Sequence, residues 1–196
     1  MASNVAGYLT PTYSTTEGAT LEDFFNTVIV ALTGLTGDKV RPMFQINPPK
    51  IPANSVDWCG FSINEIDSDD NAYYEQATTT ATMQRNEYAQ LLISFYGINA
   101  MINAKKIRDS LQLGQNRDTL RTNGIGITGF TNAVRVLELI NDIWYNRVDI
   151  TMQFAREIRA SYNVFTILST HASTLIKTDL FSELDPVLKT EIIYQS

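Results

Sequence analysis

Cysteine and histidine are almost missing from this chain: Cys59 and His171 are the only ones. A lone cysteine excludes an intramolecular disulfide, and two Cys/His ligands fall short of the four that a structural zinc site takes. The same scarcity leaves little material for His- or Cys-based catalysis, and it suits the cytoplasm or a particle assembled there. Long apolar runs are missing too. The longest, Val28 to Leu32, is five residues, whereas a membrane-spanning helix needs about 20, so no membrane association is expected. The first residues, Met1-Ala-Ser-Asn-Val-Ala-Gly7, lack the basic and apolar regions of a secretory signal. Basic clusters are absent as well. The net charge is −6, from 15 Lys and Arg against 21 Asp and Glu. Residues 1–98 carry 4 basic and 11 acidic side chains (−7), and residues 99–196 carry 11 and 10 (+1). Such a chain has few counterions to release and is not expected to grip phosphates. Its charge suits a wall that nucleic acid slides past without sticking.

What the chain does have is 196 residues, 44% apolar and 18% charged. That is enough for one domain with a sizeable core. Residues 1–19, rich in Thr, Ser, Gly and Ala, predict an extended arm. Thr20 reads as an N-cap with Asp23 at N3. Leu21, Phe24, Phe25, Val28 and Leu32 then follow at helical spacing until Gly34 and Gly37. From Val40 to Ile46 the period becomes strand-like, with Pro42 placing it at a sheet edge or a strand start. Val56 to Ile66 puts Cys59, Phe61 and Ile63 on one face, and Glu87 to Tyr96 does the same for Ala89, Leu91, Ile93 and Phe95. Asn99 reads as the cap of a second helix whose inner stripe is Ala100, Ala104, Ile107 and Leu111.

Gln115 to Arg121 predicts a short helix, and Gly124–Thr128 and Thr131–Leu139 predict two strands. Arg147 to Ile158 is the cleanest strand, with Val148, Ile150, Met152 and Phe154 inward. A hairpin turn at Ala160-Ser161 is expected to lead into a partner strand from Tyr162 to Leu168. These elements give an α+β fold: a mostly antiparallel sheet with two main helices packed on one face. The single domain is expected over 20–170, with a hydrophobic C-terminal extension at 171–196. Leu180, Phe181, Leu184, Ile192, Ile193 and Tyr194 in that extension are the candidate assembly arm, because so apolar a tail must be buried on its own domain or on a neighbour.

Motifs for chemistry fail on context. Gly124-Ile-Gly126-Ile-Thr-Gly129 matches a dinucleotide loop, but polar residues precede it and a strand pattern follows, so no cofactor is expected. Asp67, Asp69 and Asn71 begin a calcium-loop pattern that then places Ala72 where glycine is needed and Thr78 where a bidentate Glu is needed, so no metal is expected. Cys59 sits in an apolar strand and reads as a core residue. The segment from Glu65 to Glu75, with Asp67, Asp69 and Asp70, is five acidic side chains to no basic ones. It is the candidate lumen-facing or partner-facing loop.

Five segments taken in order resemble a family: Thr33-Gly-Leu-Thr-Gly37 running into Val40-Arg-Pro42, Val56-Asp-Trp-Cys59, Ser94-Phe-Tyr-Gly97, Gln115-Asn-Arg117 and Arg147-Val-Asp-Ile150. Over roughly residues 20–169 they look like the neck or tail-terminator proteins of contractile-tailed bacteriophages. The resemblance implies a structural virion protein rather than an enzyme. It implies a six-fold homohexamer ring that terminates the tail, meets the tail tube or sheath proteins, and joins the head-side connector. DNA passes non-specifically through its lumen, and assembly takes place in the host cytoplasm. The hydrophobic segment Ser173 to Ser196 departs from the family core. Two other readings stand beside this one: a head–tail connector or tail-tube component, which position in the virion separates, and a small enzyme using carboxylates, which a pocket of converging titratable groups would mark.

Overall fold

The computed structural model describes residues 8–15 and 18–164. In chain order these form β1 (Thr12–Tyr13), α1 (Ala19–Thr33), a 3₁₀ turn at Gly37–Lys39, β2 (Val40–Pro42), β3 (Trp58–Ser68), β4 (Tyr73–Gln76), β5 (Thr80–Tyr96), α2 (Ala100–Ser110), α3 (Gly114–Thr122), β6 (Ile125–Phe130), β7 (Val134–Ile140) and β8 (Ile143–Asn163). The fold is α+β, dominated by one mostly antiparallel eight-stranded sheet.

Two long strands carry it. β5 and β8 pair without interruption from Thr80↔Asn163 to Tyr96↔Arg147. On the outer side of β5, β3 and then β4 follow one another in the same direction. On the outer side of β8 lie β7, β6 and β1 in succession. β2 closes the far edge, parallel to β3. Pro42, which has no N–H to donate, sits there as an edge strand allows.

Alternation along the strands sends Cys59, Phe61, Ala89, Leu91, Ile93, Phe95, Val148, Ile150, Met152 and Phe154 to one buried face. The helices cover that face. Leu21, Phe25 and Ile29 of α1 are buried there, and the Phe25 ring centroid is 5.2 Å from that of Phe154. Ala100 and Ala104 of α2 are completely buried, their small side chains letting the helix lie close to the strands. Burial of each large side chain contributes roughly 1.5–3 kcal/mol.

Several expectations change. α1 begins at Ala19, with Gly18 as its N-cap at φ 57° and no side-chain cap, so Thr20 lies inside the first turn and the capping box with Asp23 does not form. The Gly18 carbonyl accepts from the Leu21 and Glu22 N–H groups, starting the helix earlier. The strand expected over 40–46 stops at Pro42. Met43 N–H still donates to the Phe61 carbonyl at 2.7 Å, and the chain then leaves the sheet. No hairpin turn forms at Ala160-Ser161. β8 runs straight through it because pairing partners stand on both sides, Thr82 and Thr12 opposite Ser161. Ser94, expected on the wet side of β5, is fully buried. Within the expected arm 1–19, Thr12 and Tyr13 are a sheet strand against β8.

Candidate assembly surface

The five segments that carried the family resemblance converge on one end of the sheet, and their roles there are structural. Asp57 accepts from the Asn99 backbone N–H at 2.8 Å and from its side-chain amide at 2.7 Å, anchoring the start of α2. Gly97 lies between them at φ 102°. A Cβ there would stand 2.5 Å from Asp57 Oδ1 and 2.6 Å from the Val56 carbonyl oxygen, so only glycine fits. At the other end of α2, Asn116 donates to the Ser110 carbonyl and Arg117 to that of Leu111, each at 2.7 Å, satisfying the exit carbonyls. Gly34, at φ 78°, ends α1, and Lys106 Nζ donates to the Thr33 carbonyl at 2.8 Å, a cation placed where the helix dipole favours one.

β8 outlasts β5 at this end. Beyond Arg147, residues Ile143–Asn146 pair only with β7, so the two strands leave the sheet as a two-stranded ribbon. Its turn is Asn141-Asp142, both at positive φ (49° and 61°), the two-residue conformation that matches strand twist. Leu137, Leu139 and Trp144 share one face and are 64%, 53% and 62% exposed. Val134, Val136 and Ile143 are exposed as well.

The ribbon root is rigid. On the face away from the helices, Trp58 stacks on Tyr96 with ring centroids 4.1 Å apart and planes 3° from parallel. The Tyr96 hydroxyl donates to Glu138 at 3.0 Å, and burial pushes its pKa up to about 12. Arg147 donates to Asp149 at 2.7 Å and to Glu138 at 3.3 Å. The hydrogen bond to Asp149 raises the guanidinium pKa above its ordinary value. The Tyr145 hydroxyl donates to the Pro52 carbonyl at 3.2 Å, pinning the proline-rich connector to the ribbon. Between that connector and the sheet opens a cavity of about 270 Å³, lined by Arg41, Met43, Pro49, Trp58, Tyr96 and Arg147 among others. Phe44 and Ile46 stand 82% and 88% exposed in the same connector.

The acidic candidates separate. Glu65 and Asp67 belong to β3 and Glu75 to β4; Asp69 and Asp70 lie in the short connection between those two strands. Because β3 and β4 run in the same direction along β5, the connection is an outward loop in one sheet edge rather than a reversal. All five side chains are exposed. Asp69 is structurally engaged, accepting from the Asn86 backbone N–H at 3.1 Å and its amide at 2.9 Å. The candidate arm residues Leu180, Phe181, Leu184, Ile192, Ile193 and Tyr194 lie outside the described residues, as does the strand end expected beyond Val164.

No group of three or more His, Cys, Asp or Glu among the described residues is placed to hold a metal ion. Burial pushes the Cys59 thiol up to about 12, so it stays protonated and unreactive. Gly126 and Gly129 lie within β6, paired to β8, rather than at a strand-to-helix turn. No helix among the described residues is long and apolar enough to cross a membrane. The ribbon was not anticipated as a surface, although Asn141-Asp142 between Val134–Ile140 and Ile143–Trp144 is a hairpin signal in the sequence.

An open antiparallel sheet, helices on one face only and an unpartnered apolar ribbon define a structural module rather than an enzyme-like cleft. The chain belongs to the phage neck terminator protein family, which it matches over residues 19–179. Compared with curated proteins, it matches none. The family match runs beyond the 169 at which the sequence resemblance ends, so part of the C-terminal extension lies within the matched span.

Proposed function

We propose that this chain is the ring component that terminates a phage tail at the neck and joins it to the head-side connector. Membership in the neck terminator family carries the reading. In it, six copies close around a lumen through which DNA passes without sequence-specific contact. The net charge of −6 supports such a passage, since an acidic wall repels phosphates. The tail tube, together with a sheath in a contractile particle, lies on one side and the connector on the other. The work is structural, with no cofactor and no chemical step, and assembly takes place in the host cytoplasm.

Two segments have roles in this reading. The acidic stretch Glu65, Asp67, Asp69, Asp70 and Glu75 faces either the DNA passage or a basic partner surface. Leu180, Phe181, Leu184, Ile192, Ile193 and Tyr194 dock on a neighbouring subunit or tail partner. The mass of the native assembly, measured on the purified protein and on necks released from particles, tests the ring. A mass of six chains supports it, and a single chain in the particle rules it out.

A further inference from the structure

We propose that the β7–β8 ribbon of one copy seats in the cavity at the ribbon root of the next copy, so that a head-to-tail contact between identical chains builds the ring. The inference rests on the ring reading and adds the two surfaces that meet.

Trp144 cannot fill its own chain's cavity. It is three residues from Arg147 on the same strand, so the two side chains point to opposite sheet faces. Arg147 lines the cavity on the face away from the helices, whereas Trp144 stands with Leu137 and Leu139 on the other face. The unbroken β5–β8 ladder holds that relationship fixed. The ribbon therefore has no partner within its own copy, and neither has the cavity. The two surfaces differ in shape, one protruding and one concave, so each completes the other only between copies. A contact of that kind propagates in one direction and closes into a ring when the rotation fits.

Size and charge agree. Val134, Val136, Leu137, Leu139, Ile143 and Trp144 are each about 37–64% exposed. With their polar neighbours they approach the roughly 800 Å² that each partner gives to a standard interface. The opposing surface supplies Met43, Phe44, Ile46 and Ile51, all exposed. Asp142 at the ribbon turn is acidic, and Arg41 at the cavity spends its Nε and Nη1 on the Asp38 and Lys50 carbonyls, with Nη2 left to meet a carboxylate.

The test uses two full-length variants, Trp144→Glu in the ribbon and Met43→Glu in the cavity. Both sites are exposed, so an unchanged thermal midpoint is expected for each. Each variant alone should stay a single chain at concentrations where the unaltered protein forms rings. An equimolar mixture should form a particle of two chains, because one intact ribbon and one intact cavity remain to pair. Variants that still form rings overturn the proposal while leaving the ring reading intact. So do variants that form rings but no longer join tails, which would assign the ribbon to the tail end instead. A mixture that stays monomeric also overturns it. If the unaltered protein is a single chain both in solution and in particle necks, the ring reading and this proposal fall together.

Discussion

Arg156 and Glu87 form a buried ion pair on the helix-covered face of the sheet: Arg156 Nη2 and Nε lie 2.8 and 2.9 Å from the same oxygen, Glu87 Oε1. Their side chains are only 7% and 5% exposed, and Arg85 approaches the second Glu87 oxygen at 3.6 Å. Removing one member strands a buried charge, which costs about 3–5 kcal/mol. Glu87→Leu alone and Arg156→Met alone should therefore each lower the urea midpoint strongly. The double variant should be more stable than either single one, because an apolar pair leaves less charge uncompensated. A double variant showing the sum of the single losses would contradict this.

Gly97 and Gly114 should respond oppositely to alanine. Gly97→Ala sets a Cβ against backbone at 2.6 Å in a left-handed conformation and should cost more than about 2 kcal/mol. Gly114 opens α3 with nothing within 4 Å of its would-be Cβ, so Gly114→Ala should stabilise by about 0.4–1 kcal/mol. Thermal melts of the two variants decide it.

Stability should fall at alkaline pH. Cys59 and Tyr96 both have folded pKa values raised to about 12, from ordinary values of 9.0 and 10.0, burial being the main cause. A raised folded pKa means the native state holds its proton after the unfolded chain has lost it, so this stability is complete below pH 9 and declines up to pH 12. Cys59→Ala should flatten the decline from pH 9, and Tyr96→Phe the part above pH 10. A thermal midpoint independent of pH between 9 and 11 contradicts the assignment.

The acidic segment should matter for joining and hardly at all for folding. Asp67→Asn, Asp69→Asn and Asp70→Asn together should change stability by less than about 1 kcal/mol, since an amide oxygen can still accept the Asn86 bonds that Asp69 makes. Head attachment or DNA passage should drop. Unchanged infectivity would make the segment an ordinary solvated edge.

The C-terminal arm is tested by Phe181→Asp and Ile192→Asp. As an arm docked on a neighbour, it should lose assembly while the thermal midpoint of the isolated subunit holds. A lowered midpoint instead places those residues in the core of their own subunit.

Much of the core was legible in the sequence because period-2 and helical spacing report burial directly. Ala89 to Phe95, Val148 to Phe154 and the Ala100–Ala104–Ile107 stripe are buried where the pattern put them. Strand ends were not legible. A strand continues while a partner remains, and the partners of Ser161 are Thr12 and Thr82, far away in sequence. The ion pair of Glu87 with Arg156 escaped for the same reason, since charged residues read as wet until a long-range pairing sets them face to face. The ribbon escaped because exposed Leu139 and Trp144 look like core in any sequence pattern; only the end of β5 at Tyr96 shows that nothing covers them. The acidic segment was recognised as exposed, but its division between β3, β4 and their connection follows from β5 lying alongside both.

Imaging of particle necks with this chain labelled tests the central claim most directly. The account predicts a closed ring of six labelled subunits at the head-proximal end of the tail, with DNA density through its hole. Label found elsewhere in the particle, or as isolated subunits around the neck, would contradict it.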